Sequence, residues 1–323
     1  MPTTAAIVRI ATRSSELALR QARLVQAALA RAGVAAELKT YRTLGDKRLD
    51  EPLTAIGGKG LFTKELEVDL AKGHVDCCVH SLKDLPTEMP EGLAIGALME
   101  REDPRDVLIV NAVTGATSLA DLPRGSRVGT SSLRRRAQLL ALRSDLEVVA
   151  LRGNVPTRIR KVDDGQVHAA ILAAAGVHRL GVSQRIASYL DAPAWLPAAG
   201  QGAIAVQVRE DDARMRELLS PLHDELTARH VRAERAFLAA LEGGCQVPIG
   251  ALAISGSNGG ADTLHGFIGD IHGRQVVRGA HVLDMVNPEL TGIRLANELR
   301  GAGASEILAG LRRMEEVPAP QPE

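Results

Sequence analysis

Cys245 sits in the stretch Leu-Glu-Gly-Gly-Cys-Gln-Val-Pro-Ile-Gly (241–250), with two glycines before it and a proline three residues after it. The preceding segment, 227–241, has a helical period: Val231, Phe237, Leu238 and Leu241 share one stripe, and Arg229, Arg232, Glu234 and Arg235 fall largely elsewhere. Gly243 and Gly244 end that helix, and the apolar run from Val247 begins a strand. A thiol on such a helix-to-strand loop has no bulky side chain immediately before it, so a large reactant can approach. A small, buried, apolar cysteine is the other reading that these residues allow. The second candidate group is Asp84 in His-Ser-Leu-Lys-Asp (80–84), just past a strand over 75–80. A carboxylate beside Lys83 stays ionised and can hold N–H groups or stabilise a developing cation. The alternative for Asp84 is a capping role in the turn before Pro86. His80 reads as a buried strand histidine rather than a catalyst.

The third candidate is a concentration of positive charge. Between residues 124 and 161 there are nine arginines and one lysine, against only Asp145 and Glu147. Arg134, Arg135 and Arg136 follow Gly-Thr-Ser-Ser (129–132), and Arg152-Gly-Asn-Val-Pro-Thr-Arg158 forms a second cluster. Each cluster follows a strand pattern and opens a helix. Free backbone N–H groups and the hydroxyls of Thr130, Ser131 and Ser132 therefore meet guanidinium forks at a natural anion site. Basic side chains there oppose the helix dipole, which argues for a negative partner over a merely solvated face. Arg13 and Ser15 repeat the pattern near the start of the chain. Pro156 is tolerated just inside a helix begun by Asn154, because the first helical N–H groups lack partners anyway. Many distributed arginines suit several separated carboxylates better than one compact phosphate. The short run Gly57-Gly58-Lys59-Gly60 is a weak phosphate signal, and no Gly-x-x-x-x-Gly-Lys-Ser/Thr motif is present.

These groups need a frame that brings strand ends together. Strand patterns over 6–11, 36–41 and 75–80 alternate with helix patterns ending near 32 and 72, across a glycine-rich loop at 43–60. A charged stretch, Arg101 to Asp106, suits a hinge. A second alternating unit follows, with strands at 106–110, 126–129, 146–151 and 167–173 and helices at 133–143 and 155–163. Residues 196–202 read as a return crossing, and 203–208 as a strand that rejoins the first sheet. A third unit has strands at 247–255, 263–269 and 275–283 and helices near 288–300 and 304–314. The fold class expected is α/β: two lobes with mixed sheets, plus a smaller C-terminal α+β domain. The expected domains are 1–102 with 203–221, then 103–202, then 222–317, with 318–323 a disordered tail.

Composition narrows the function. The 323 residues carry zero net charge, and aromatic residues make up only 2%, so nucleic-acid binding is not expected. Cys77, Cys78 and Cys245 do not form a disulfide framework, and the nine histidines show no metal-ligand spacing, so no metal is assigned. No apolar run approaches a membrane span and no signal peptide is apparent, so a soluble cytoplasmic protein is expected.

Eight stretches, in order, resemble the porphobilinogen deaminase (hydroxymethylbilane synthase) family over nearly the whole length. They are Arg-Ile-Ala-Thr-Arg-Ser-Ser (9–15), Gly-Gly-Lys-Gly-Leu-Phe-Thr-Lys-Glu-Leu-Glu (57–67), Val-His-Ser-Leu-Lys-Asp (79–84), Glu-Arg-Glu-Asp-Pro-Arg-Asp (100–106), Gly-Thr-Ser-Ser-Leu-Arg-Arg (129–135), Leu-Arg-Gly-Asn-Val (151–155), Gly-Gln-Gly-Ala (200–203) and the stretch 241–250 that holds Cys245. The resemblance implies two lobes like those of periplasmic binding proteins and a third domain. The implied activity is the joining of four porphobilinogen molecules, with loss of ammonia, into a linear tetrapyrrole. Cys245 would carry a dipyrromethane cofactor through a thioether. Asp84 would be the catalytic carboxylate, bonding pyrrole N–H groups and stabilising the cationic azafulvene left when ammonia departs. Ser81, Lys83, Thr130, Ser132, Arg134, Arg135, Arg152, Gly153 and Arg158 would hold the cofactor and the growing chain. Arg13, Ser15, Lys59, Arg179 and Gln201 would stand on the substrate side. The acetate and propionate of each pyrrole account for the arginines, since unneutralised carboxylates in one cleft repel strongly. The resemblance favours a monomer. Ala55, Leu44 and Pro156 depart from the residues many relatives carry, which touches loop details and one carboxylate contact. The rival readings are a non-catalytic two-lobed carboxylate-binding protein, which would use neither Cys245 nor Asp84, and a nucleic-acid-binding regulator built on the same lobes.

Overall fold

A computed structural model describes residues 7–43, 45, 62–241 and 247–316. Cys245, Lys59, Leu44 and Ala55, and the readings that rest on them, lie outside the described residues. In chain order the first elements are β1 (Val8–Arg13), α1 (Glu16–Arg31), β2 (Ala36–Tyr41), α2 (Lys64–Ala71), β3 (Cys77–Ser81) and β4 (Leu93–Leu98). Next come β5 (Asp106–Val110), β6 (Arg127–Gly129), α3 (Leu133–Leu142), β7 (Glu147–Val149), α4 (Val155–Asp163), β8 (Ala169–Ala173), α5 (Ala174–Arg179) and β9 (Ile186–Leu190). The chain then runs through β10 (Ile204–Arg209), α6 (Ala213–Leu219), α7 (Glu225–Ala240), β11 (Ile249–Ile254), β12 (Thr263–Gly269), β13 (Val276–Val282), α8 (Pro288–Leu299) and α9 (Ser305–Glu316).

Two five-stranded mixed sheets have the same layout, β2-β1-β3-β10-β4 and β7-β6-β8-β5-β9. In each, three parallel strands are followed by a strand running the other way, and that fourth strand is supplied across the hinge. β10 comes back to pair antiparallel with β3 and β4, as expected for 203–208. β5 pairs antiparallel with β8 and β9. The inner parallel strands β3 and β8 are buried along nearly their whole length, as strands covered on both faces are. Ile10, Cys77, Val79, Val206 and Val208 pack on Ala22, Val25 and Leu29 of α1, a stripe at helical spacing. β4, β9, α5 and α6 did not stand out in the sequence: β4 carries an internal glycine, β9 alternates weakly, and the two helices are short.

The third unit is an antiparallel meander, β11-β12-β13, with α7 and α8 against one face. Its core gathers Phe237, Leu264, Ile268, Leu295 and Leu299. Gly292 lets α8 lie directly on α7: a Cβ there would stand 2.3 Å from the Ala233 carbonyl oxygen.

Two crossings join the lobes, one through Arg101–Arg105 and one through Pro197–Ala203. Gly202 has φ +93°, and a Cβ on it would stand 2.3 Å from the Glu102 carbonyl oxygen, so the two strands of the hinge touch only because this residue is glycine. Glu234 of α7 binds the hinge from the third unit. It is fully buried and pairs with Arg101 at 2.6 and 3.0 Å. The same carboxylate accepts the N–H groups of Gly200 and Ala253. Glu234 thus lies inward, not on the solvated side of α7 as the sequence pattern suggested. It falls three residues after Val231 and three before Phe237, which is the spacing of the buried stripe itself.

Candidate active site

The site is built where parallel strands end. β3 runs into a tight 3-10 turn, Leu82–Asp84, whose Leu82 is buried in the first lobe and whose Lys83 and Asp84 are half-buried. β1 ends at Arg13. Across the hinge, β6 leads through Thr130 and Ser132 into α3, and β7 leads through Arg152 and Gly153 into α4. Ser132 and Asn154 cap these helices by accepting the backbone N–H groups of Arg135 and Thr157. Pro156 lies in the first turn of α4, where its missing N–H costs nothing.

Asp84, Lys83, Arg135, Arg152 and Arg158 form one electrostatic cluster. Burial pushes the Lys83 ammonium down to about 8; Arg135 and Arg134 act in the same direction, and Asp84 and Asp106 oppose it. Burial, then Arg135 and Arg152, push Arg158 down to about 10, again against Asp84. Cations that lower one another's affinity for protons mark a pocket with more positive charge than its own carboxylates neutralise. Asp84 is half-buried among them, and among the described residues its carboxylate accepts no hydrogen bond.

Arg134 and Arg135, both expected to grip a ligand, reach protein groups among the described residues. They are only 4% and 6% exposed, and both reach Asp106, at 2.7 Å each. The same N–H₂ group of Arg134 also donates to the Leu196 carbonyl, so what this guanidinium holds among the described residues is protein. The dipole argument asked for a negative partner at this helix start, and Asp106 is that partner. Arg135 donates to the Ile171 carbonyl as well, but its Nε–H is buried and meets no acceptor among the described residues. Asp106 is fully buried. Burial raises its carboxyl, yet Arg134 and Arg135 more than offset this and hold it well below the usual carboxylate range. Trp195 Nε1 and Gln201 Nε2 also donate to it, each at 2.8 Å. Gln201 Oε1 in turn accepts from Lys83 Nζ at 3.2 Å, so Gln201 bridges the first lobe's turn and the second lobe's arginines.

The other expected residues have local tasks. Ser15 caps α1 through the Ala18 N–H, and Ser81 Oγ accepts from Gln21. Thr130 Oγ1 accepts the Ser132 N–H. The Arg13 guanidinium lies 4.4 Å from the centre of the Phe62 ring. Arg158 Nε donates to the Gly153 carbonyl. Arg179 stands apart from this cluster: it donates to the Gly202 carbonyl and lines a hinge cavity of about 740 Å³ with Arg20, Arg23, Arg101 and Glu102. His80 is buried against Gln207 Oε1 and pushed down to about 4 by burial, as a structural histidine would be. Sequence reasoning missed Asp106 and Trp195. The available signal was an acid placed at the head of the apolar run Val-Leu-Ile-Val, where a charge is costly unless paired.

Among the described residues no group of three or more His, Cys, Asp or Glu side chains could hold a metal ion. Among the same residues no helix is long and apolar enough to cross a membrane. The family model described as "Porphobilinogen deaminase, dipyromethane cofactor binding domain" matches residues 8–217, and "Porphobilinogen deaminase, C-terminal domain" matches 228–301. A porphobilinogen deaminase of Syntrophobacter fumaroxidans is 49% identical over 95% of this chain and 98% of its own length. One of Geobacter metallireducens is 47% identical over 95% and 96%. Among solved structures, a periplasmic substrate-binding protein of an ABC transporter from Coxiella burnetii is similar with a TM-score of 0.43 and 18% identity, over 69% of this chain and 94% of that one.

Proposed function

The chain belongs to the porphobilinogen deaminase family, and from that premise we propose how its own residues carry out the family's reaction. The enzyme is a transferase that joins four porphobilinogen molecules, with loss of ammonia, into hydroxymethylbilane on a covalent dipyrromethane. The bound dipyrromethane supplies the pyrrole carbon to which the first substrate joins. Cys245 would carry it. Lys83, Arg135, Arg152 and Arg158, with Ser81, Thr130, Ser132 and Gly153 at the same strand ends, would hold its carboxylates and those of the growing chain.

The charge balance of the cluster supports this reading. Lys83, Arg134, Arg135, Arg152 and Arg158 are five cations against the two carboxylates of Asp84 and Asp106. Two pyrroles with an acetate and a propionate each bring four negative charges, enough to offset the excess. The Nε–H of Arg135, which has no acceptor among the described residues, fits the same demand. With the cations so neutralised, Asp84 is the carboxylate left to act. It accepts the pyrrole N–H and offsets the positive charge that grows on the substrate as the amine leaves as ammonia. Arg13, Ser15, Lys59, Arg179 and Gln201 are assigned to the substrate side.

The domain division 1–102 with 203–221, 103–202 and 222–317 belongs to this reading, with one sheet in each part. So do a monomer, as the family likeness favours, a cytoplasmic location, and the absence of a nucleic-acid partner. Intact-protein mass spectrometry tests the assignment. The chain should carry an adduct of two pyrrole units that Cys245→Ser abolishes, and an unmodified, fully active chain would overturn it.

A further inference from the structure

We propose that Asp106 is a positioning residue, holding Arg135 and, through Gln201, Lys83 in the orientation that receives the carboxylates of the primer and the growing chain. The proposal rests on the reading of Arg135 and Lys83 as carboxylate-holding groups.

Asp106 occupies the first position of β5, paired with Ala173 and Leu190, at the edge where β6 and β8 end. Four side chains converge on its two oxygens: Arg134 and Trp195 on Oδ2, and Arg135 and Gln201 on Oδ1. A carboxylate has about four lone-pair sites, so this one is saturated and has no reason to touch a ligand itself. What it does is fix donors. Two long cationic side chains at the start of α3 would otherwise repel each other and leave for solvent; a buried counter-charge keeps both inside. Arg135 is then pinned by one N–H₂ group on Asp106 and the other on the Ile171 carbonyl, and its buried Nε–H meets no acceptor among the described residues.

Gln201 extends the arrangement across the hinge. Lys83 can only donate, so the Gln201 amide must turn its oxygen to Lys83 and its nitrogen to Asp106 and the Pro104 carbonyl. The orientation of the Lys83 ammonium is therefore tied to Asp106, although the two belong to different sheets. Trp195 completes the set. Its neighbour Leu196 is stitched to Gln138 of α3 by two hydrogen bonds, so the indole N–H is delivered from a fixed backbone.

The experiment compares the holoenzyme with Asp106→Asn and Trp195→Phe, each purified as folded, monodisperse protein. Asp106→Asn removes the counter-charge; Trp195→Phe keeps it and removes a single donor. The readouts are the fraction of chains carrying the two-pyrrole adduct, by intact mass, and KM and kcat per folded molecule. Displaced carboxylate-holding groups should lower adduct occupancy and raise KM in Asp106→Asn, by up to about 100-fold in kcat/KM. Trp195→Phe should change both in the same direction to a smaller degree. A purely structural role would reduce thermal stability and leave the folded fraction fully loaded, with native KM and kcat; that result overturns the proposal. If Asp106→Asn is recovered only unfolded, Trp195→Phe decides alone, and full occupancy with unchanged KM and kcat overturns the proposal. Failure of the underlying functional reading looks different, because the unsubstituted protein would then carry no adduct.

Discussion

Two carboxylates in this cleft show how neighbours assign roles. Asp106 is saturated by four donors, and Asp84, beyond the end of β3, accepts no hydrogen bond among the described residues. Asp84→Asn keeps the shape of the turn and removes the charge proposed to face the leaving ammonia. Turnover should fall by at least about 100-fold, the scale of losing one preorganised electrostatic group, while intact mass still shows the adduct. Near-native rates would remove Asp84 from its assigned role. His80 makes a prediction of opposite kind, since it is buried neutral and pushed down to about 4. Its unfolded-state value is about 6.5. Between these values the unfolded chain binds the proton and the folded chain does not, so stability present above pH 6.5 is lost as pH falls toward 4. Relative to His80→Asn, the unsubstituted protein should lose about 3 kcal/mol of unfolding free energy from pH 7 to pH 4. Parallel curves for the two in urea titrations would refute this.

At the scale of elements, α7 is the clearest case of pattern and exception. Its apolar residues find the core as their spacing demands, but Glu234 goes with them and binds Arg101, Gly200 and Ala253. Glu234→Ala would take the carboxylate from both N–H₂ groups of Arg101, whose Nε keeps its bond to the Gln201 carbonyl, and from two backbone N–H groups. It should cost about 3–5 kcal/mol, the usual penalty for removing one partner of a buried pair. Denaturant unfolding would measure this, and a loss under 1 kcal/mol would contradict the burial argument. Most elements were legible in the sequence because apolar runs alternate with helical stripes and glycines mark their ends. The buried ion pairs were not. Arg101, Asp106 and Glu234 each sit in charged surroundings in sequence, and only the tertiary fold separates those that turn inward from those that stay wet. Arg134 shows the same limit within the site: its helix-start position suggested an anion partner, and that partner is a side chain 28 positions earlier.

For the whole molecule, the hinge is a junction of all three units. Arg101 lies on one crossing, Gln201 on the other, Glu234 in the third unit and Asp106 at the edge of the second sheet. The chain has a single tryptophan, Trp195, placed on Asp106. Its fluorescence should therefore report the loss of this junction, and the transition it shows in urea should coincide with that of far-UV circular dichroism. Two clearly separated midpoints would mean that the units come apart independently. The interlaced strands carry a consequence for synthesis. All five strands of the second sheet lie within residues 106–190, whereas β10 sits between β3 and β4 in the first. On the ribosome, the lobe encoded first must wait for residue 209 to emerge before its sheet can close. The lobe encoded second has every strand in hand earlier, so the nascent chain assembles its middle before its beginning.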